Sequence, residues 1–151
     1  MLVALRPARL EDFEYCRGLY FAGMSGIIKE LNLDEAAQAV SFHQQWVLSE
    51  VRIITLDDSD IGWLQSTTRE DGFFVAQLFV GTRFQGRGIG SEVMHRLIAE
   101  AAQLRQPVRL SVVKINPALR LYERLGFRVT HEDERKFYMK RDPEMAAPVS
   151  I

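Results

Sequence analysis

Between Val51 and Val80 the chain reads VRIITLDDSDIGWLQSTTREDGFFVAQLFV. Three β-rich runs, residues 51–56, 61–68 and 73–80, are separated by only four residues each, Asp57-Asp58-Ser59-Asp60 and Arg69-Glu70-Asp71-Gly72. Links this short and polar cannot carry a crossover, so they join antiparallel neighbours and the block is a meander. Any fold for this chain has to be assembled around that three-stranded core.

The flanks alternate between helix and strand. Residues 2–5 form a short apolar run before Pro7, read as a first strand. From 12 to 22, Phe13, Cys16, Leu19 and Tyr20 recur at helical spacing, and Gly23 and Gly26 then loosen the pattern. Asp34 is placed to cap a second helix over 35–48, with Ala39, Phe42 and Trp46 along one face. Beyond the meander, Ile89, Val93, Leu97 and Ala101, flanked by Met94 and Ile98, form the stripe of a helix ending near Leu104. Residues 108–113 make a β-branched strand. The segment INPALRLYERLGF then has Asn116 at an N-cap, Pro117 at the first helical position and Gly126 just past the end of a helix. Residues 127–130 and 136–140 close the chain as two strands.

The order β-α-α-β-β-β-α-β-α-β-β predicts one α/β (α+β) domain over residues 1–141. Its sheet is mixed and mostly antiparallel, with helices on both faces. Residues 142–151, with two prolines and no periodicity, read as a flexible tail.

Composition narrows the function. The formal net charge is −1 and no long run carries one sign, which gives no footing for nucleic acid or a membrane surface. No basic leader precedes an apolar core, and no run approaches the roughly 20 residues of a membrane span. The lone Cys16 lies on the apolar stripe of the first helix and pairs with no metal-ligand motif, so a cytoplasmic protein without metal is expected.

The chemistry sits in FVGTRFQGRGIGSEV, where Gly86, Gly88 and Gly90 alternate with Arg87 and Ile89. A dinucleotide fingerprint requires glycine three residues after Gly88, but Ser91 stands there, and no carboxylate ends the next strand. A Walker loop requires Gly-Lys followed by Ser or Thr, also missing. What survives is an anion site: a strand runs into a glycine turn, and a helix starts with its first amides unpaired and its dipole positive.

Gln85-Gly86-Arg87-Gly88-Ile89-Gly90 resembles the Q/R-x-x-G-x-G/A pyrophosphate loop of the GCN5-related (GNAT) N-acetyltransferases. Leu78-Phe79-Val80 is similar to their fourth strand, and residues 116–127 to their second cofactor segment, in the same order and about 30 residues on. The resemblance implies acetyl-coenzyme A as co-substrate. By it, the Leu78 amide holds the thioester carbonyl, Phe79 and Val80 continue the strand whose backbone takes the pantetheine arm, and the amides of Gln85 through Ser91 surround the pyrophosphate. Asn116 carries two roles, cap and cofactor contact. Tyr122 has a packed-core reading beside the one the family implies, protonation of the departing thiolate.

One part of the family pattern is missing. Where a titrating side chain is expected on the fourth strand, alternate residues are Ala76 and Phe74, and His43, His95 and His131 have no motif support. Two readings follow: an N-acetyltransferase acting on a primary amine by direct attack in a ternary complex, or a non-catalytic acyl-CoA-binding module on the same fold. The partners expected are acetyl-CoA and an amine, a small molecule in preference to a protein, in a monomer or homodimer. The early helices, with Tyr20, Phe21, Met24, Phe42 and Trp46, are read mainly as core.

Overall fold

The computed structural model describes residues 2–143, so the expected tail lies outside the described residues from position 144 on. In chain order the elements are β1 (Val3–Pro7), α1 (Phe13–Glu30), α2 (Glu35–Gln45), β2 (Val51–Leu56), β3 (Ser59–Arg69), β4 (Gly72–Val80), α3 (Ile89–Gln103), β5 (Val108–Val113), α4 (Ala118–Arg124), β6 (Arg128–Glu132) and β7 (Lys136–Arg141). The seven strands are ordered β1-β2-β3-β4-β5-β7-β6, mostly antiparallel, with a parallel step from β4 to β5. The order of elements and the sheet class agree with the sequence reading.

α4 starts at Ala118 rather than at Pro117, and two helix ends differ by three residues or more, each for a tertiary reason. α1 continues through Gly23 and Gly26 to Glu30. Its buried residues Cys16, Tyr20 and Ile27 supply packing that outweighs the roughly 1 kcal/mol penalty of a helical glycine. At Gly23 the space a side chain would take is filled, since a Cβ there would lie 2.8 Å from Phe79 Cδ1. α2 stops at Gln45 rather than Leu48, with Trp46 already extended (ψ 122°). Gln65, buried on β3, donates through Nε2 to the Gln45 carbonyl at 2.9 Å and to Glu50 Oε1 at 3.0 Å. A side chain from the sheet thus takes an end carbonyl of the helix.

The chain forms two compact units. The first comprises Met1–Thr67 and Ala76–Gly90. Its core joins Cys16, Tyr20 and Phe42 to Val51, Ile53 and Trp63, with Phe13, Trp46 and Phe79 packed against them. The rings make a continuous aromatic network. Trp63 stacks on Phe79 (5.6 Å, 25°) and meets Phe42 edge-on (5.8 Å, 82°), while Tyr20 touches both Phe42 (4.9 Å) and Phe79 (5.5 Å). These pairs add about 0.5–1.5 kcal/mol each beyond area burial. The core assignment of Tyr20 and Phe42 is therefore right. Trp63 Nε1 is buried with no hydrogen-bond partner among the described residues, its ring lying against Phe42, Trp46 and Phe79, which carry no acceptor. In this unit Arg6 holds Asp12 through two bonds (2.9 and 3.1 Å) and Asp60 through two more (3.0 and 3.4 Å).

The second unit comprises Thr68–Val75 and the chain from Ser91 on. α3 buries Val93, Met94, Leu97 and Ala101, as its stripe predicts. The β4–β5 ladder covers Phe73↔Val108 and Phe74↔Arg109, whereas β5–β7 runs over six pairs from Val108↔Arg141 to Val113↔Lys136.

Candidate functional site

In the first unit, Leu78, Phe79 and Val80 are the last three residues of β4. Their placement is set by β3. Gly81 N–H donates to the Ile61 carbonyl at 2.7 Å, and a Cβ at Gly62 would collide with the Phe79 carbonyl and lie 3.1 Å from Val80 Cα. Only a residue without a side chain lets the end of β4 lie this close to β3. Glycine inside a strand is the signal for such an approach, and the sequence reading did not use it.

After Gly81 the chain makes a single 3-10 turn, Thr82–Phe84, closed by Phe84 N–H to the Gly81 carbonyl at 2.9 Å. Gly86 and Gly88 follow with φ of 76° and 79°. In this region a Cβ is strained by about 1–2 kcal/mol, which accounts for two of the three glycines in the loop. A Cβ at either position would meet no protein atom within 4 Å, so the space beyond them is open. The amides of Gly86, Arg87 and Gly88 have no acceptor among the described residues. Those of Ile89, Gly90 and Ser91 belong to the first turn of α3 and lack intrahelical partners by geometry. Ile89 itself is buried and anchors the helix start. Arg87 lays its guanidinium over the Phe84 ring at 5.5 Å and has no carboxylate partner among the described residues. The arrangement presents several outward N–H groups, a helix dipole and a cation, which is what a diphosphate requires.

In the second unit, Asn116 Oδ1 accepts the Ala118 N–H at 2.9 Å, and the Asn116 carbonyl accepts Leu119 N–H at 3.1 Å. Asn116 therefore caps the start of α4 although the regular helix begins only at Ala118. Its side-chain nitrogen has no partner among the described residues, so the cap leaves a donor over. At the other end Phe127 N–H returns to the Tyr122 carbonyl at 3.0 Å, past Gly126. Tyr122 is half-buried, its ring against Phe127 at 5.9 Å. Burial raises its pKa, so the hydroxyl stays protonated near neutrality. That hydroxyl also has no partner among the described residues.

On β4, Phe74 is half-buried beneath the Arg69 guanidinium (4.8 Å) and Ala76 is exposed, so no titrating group stands at either position. Cys16 is fully buried and its thiol is pushed up to about 12 by desolvation, which rules it out as a nucleophile at neutral pH. A surface depression of 410 Å³ between α1 and α2, lined by Phe13, Arg17, Ala39, Val40, His43 and Gln44, holds none of the residues that the resemblance assigns to the coenzyme or to catalysis. Among the described residues no group of His, Cys, Asp or Glu is placed to hold a metal ion, and no helix is long and apolar enough to cross a membrane.

Comparison with known proteins adds to this geometry. A family model described as an acetyltransferase (GNAT) domain matches residues 42–129, more than half of the chain. No curated protein matches. Among solved structures, the PaiA N-acetyltransferase of Thermoplasma acidophilum, in complex with coenzyme A, has a TM-score of 0.78 at 18% identity, over 94% of this chain and 99% of that one. Ard1 of Thermoplasma volcanium has 0.69 at 19%, over 96% and 100%. N-acetylglutamate synthase of Neisseria gonorrhoeae, complexed with coenzyme A and N-acetyl-glutamate, has 0.68 at 18%, over 96% of this chain and 36% of its own. At such identities these likenesses speak for the fold.

Proposed function

The chain belongs to the GNAT acetyltransferases, and from that premise we propose that it transfers an acetyl group from acetyl-coenzyme A directly to a primary amine in a ternary complex. The observation that carries the proposal is the turn at Gly86–Gly88. Its open left-handed backbone and its unpartnered amides suit a diphosphate, and so does the start of α3.

In this reading the amides from Gln85 to Ser91 hold the pyrophosphate, and backbone groups at Phe79 and Val80 hold the pantetheine arm. The Leu78 N–H donates to the thioester oxygen, where negative charge grows as the amine nitrogen attacks the carbonyl carbon. A fixed donor there acts as an oxyanion hole. When the C–S bond breaks, the Tyr122 hydroxyl gives its proton to the leaving sulfur. The proton lost by the nitrogen restores the phenol by way of solvent. Burial raises the tyrosine pKa, keeping the donor loaded at neutral pH. Asn116 contributes its spare amide nitrogen to the coenzyme. The acceptor class favoured is a small-molecule amine, and the setting a reducing cytoplasm.

Ala76 and Phe74, with no titrating side chain between them, favour a second reading: an acyl-CoA-binding module without turnover. Titration calorimetry with acetyl-coenzyme A tests the shared half, and no heat at millimolar ligand overturns both readings. Release of free thiol across a panel of amines separates them, because a binding module releases none above background.

A further inference from the structure

α1 carries three glycines, and the fold leaves room for a side chain at two of them. A Cβ at Gly18 or Gly26 would meet nothing within 4 Å. One at Gly23 would lie 2.8 Å from Phe79 Cδ1 and 3.0 Å from Cε1, whereas carbon atoms in contact sit at roughly 3.5–4.0 Å. The Phe79 ring has little room to give. Trp63, fully buried, stacks on it at 5.6 Å and 25°, and Tyr20 meets it edge-on at 5.5 Å. Trp63 is backed in turn by the rings of Phe42 and Trp46. The main chain of Phe79 is confined as well, since a Cβ at Gly62 on β3 would collide with its carbonyl. Two glycines from two elements therefore close on one residue, Gly23 on its ring and Gly62 on its backbone.

Resting on the reading that the Leu78 N–H polarises the thioester, we propose that Gly23 is a positioning residue for that donor. Gly23, Phe79 and Gly62 form a steric lock between α1, β4 and β3 that sets where the Leu78 amide stands. Phe79 follows Leu78 directly, so a displacement of Phe79 is passed along the chain. Downstream it is stopped by the bond from Gly81 N–H to the Ile61 carbonyl at 2.7 Å, which leaves Leu78 to absorb it. A methyl group at Gly23 requires the ring to retreat by roughly 1 Å, and a close-packed interior offers no void to receive it. A hydrogen bond weakens steeply when its distance and angle change by this much. The glycine turn for the diphosphate lies beyond Gly81 and keeps its place. Helix propensity favours alanine at all three glycines. Only at position 23 does the lock oppose it.

The test compares the whole wild-type protein with Gly23→Ala, Gly18→Ala and Gly26→Ala. The carbonyl stretch of bound acetyl-coenzyme A, read by isotope-edited difference infrared spectroscopy, reports the hydrogen bond to the thioester oxygen without requiring turnover. Calorimetry with coenzyme A reports affinity, and thermal melts report stability. In wild type the bound stretch is expected below that of free acetyl-coenzyme A. Gly23→Ala should lose most of this downshift while binding coenzyme A within about threefold of wild type, and it should melt no higher. Gly18→Ala and Gly26→Ala should keep the downshift and melt about 2–4 °C higher, the gain of a helical alanine with free space around it. Adding Trp63→Phe to Gly23→Ala gives the ring room on its other face and should recover the downshift. A loss of the infrared signal with affinity held is the readout that a merely structural glycine would not give. A full downshift in Gly23→Ala, or a loss shared by all three single variants, overturns the lock and leaves the Leu78 donor standing. A wild type whose bound stretch equals that of the free ligand overturns the donor, and the lock with it.

Discussion

Replacing Gly88 with alanine perturbs the one backbone feature on which the proposed chemistry most depends. Gly88 sits at φ 79° with nothing within 4 Å of the Cβ position. The intramolecular penalty is therefore conformational alone, about 1–2 kcal/mol for an L-residue forced into this region. For a chain of this size that lowers the melting temperature by roughly 2–8 °C. Binding should suffer more. Charge-assisted hydrogen bonds contribute about 1.5–3 kcal/mol each, so displacing a single amide from a phosphate oxygen weakens coenzyme A about tenfold or more. Gly88→Asn separates the two effects, because asparagine tolerates left-handed backbone while still placing a side chain against the ligand. Thermal melts should rank Gly above Asn above Ala, and calorimetry should show both variants binding at least tenfold more weakly. Should Gly88→Asn bind coenzyme A as tightly as wild type, the close-approach argument fails and strain alone explains the glycine. Should Gly88→Ala match wild type in both assays, the turn has been misread altogether.

Tyr122→Phe should lower thiol release about 10²–10⁴-fold with coenzyme affinity held, the span usual for loss of a general acid; an unchanged rate leaves Tyr122 as packing against Phe127. At Asn116 the two roles part company: Asn116→Ser keeps the cap and should spare stability, whereas Asn116→Ala costs about 1 kcal/mol in urea denaturation, and both should weaken coenzyme A. Equal coenzyme affinity in wild type and Asn116→Ser restricts Asn116 to capping. The Asp12 pKa is lowered, chiefly by its hydrogen bonds from Arg6, so the stabilisation it gives is present above the unfolded carboxylate value, near 4, and is lost as pH falls through the folded value. Asp12→Asn should therefore destabilise by about 2 kcal/mol at pH 7, a partly exposed pair being worth less than a fully buried one, and the gap to wild type should narrow below pH 4 in urea titrations. A gap independent of pH would assign the effect to packing.

Much of this protein is legible in one dimension because its signals are local. Short polar links force the meander, and the element order follows from hydrophobic periods that switch between two and 3.6. The strand at 108–113 and the helix stop at Gly126 depend on residue types whose backbone preferences hold in any context. The glycine loop belongs here too, since left-handed turns such as those at 86 and 88 favour glycine over any residue with a Cβ. What the chain alone did not decide are features in which distant residues meet. α1 runs past its glycines because Cys16, Tyr20 and Ile27 are buried along it, with Phe79 filling the space beside Gly23, and α2 stops at Gln45, whose carbonyl Gln65 takes from β3. The Gly62 approach to Phe79 and Val80 is of the same kind. So is the bond from Gln85 Nε2 to the Val80 carbonyl, which depends on how the chain folds back after Gly81. Propensity and period act through neighbours in sequence and can be read from sequence. Steric fit and side-chain-to-backbone bonds act through neighbours in space, and only the folded chain supplies those.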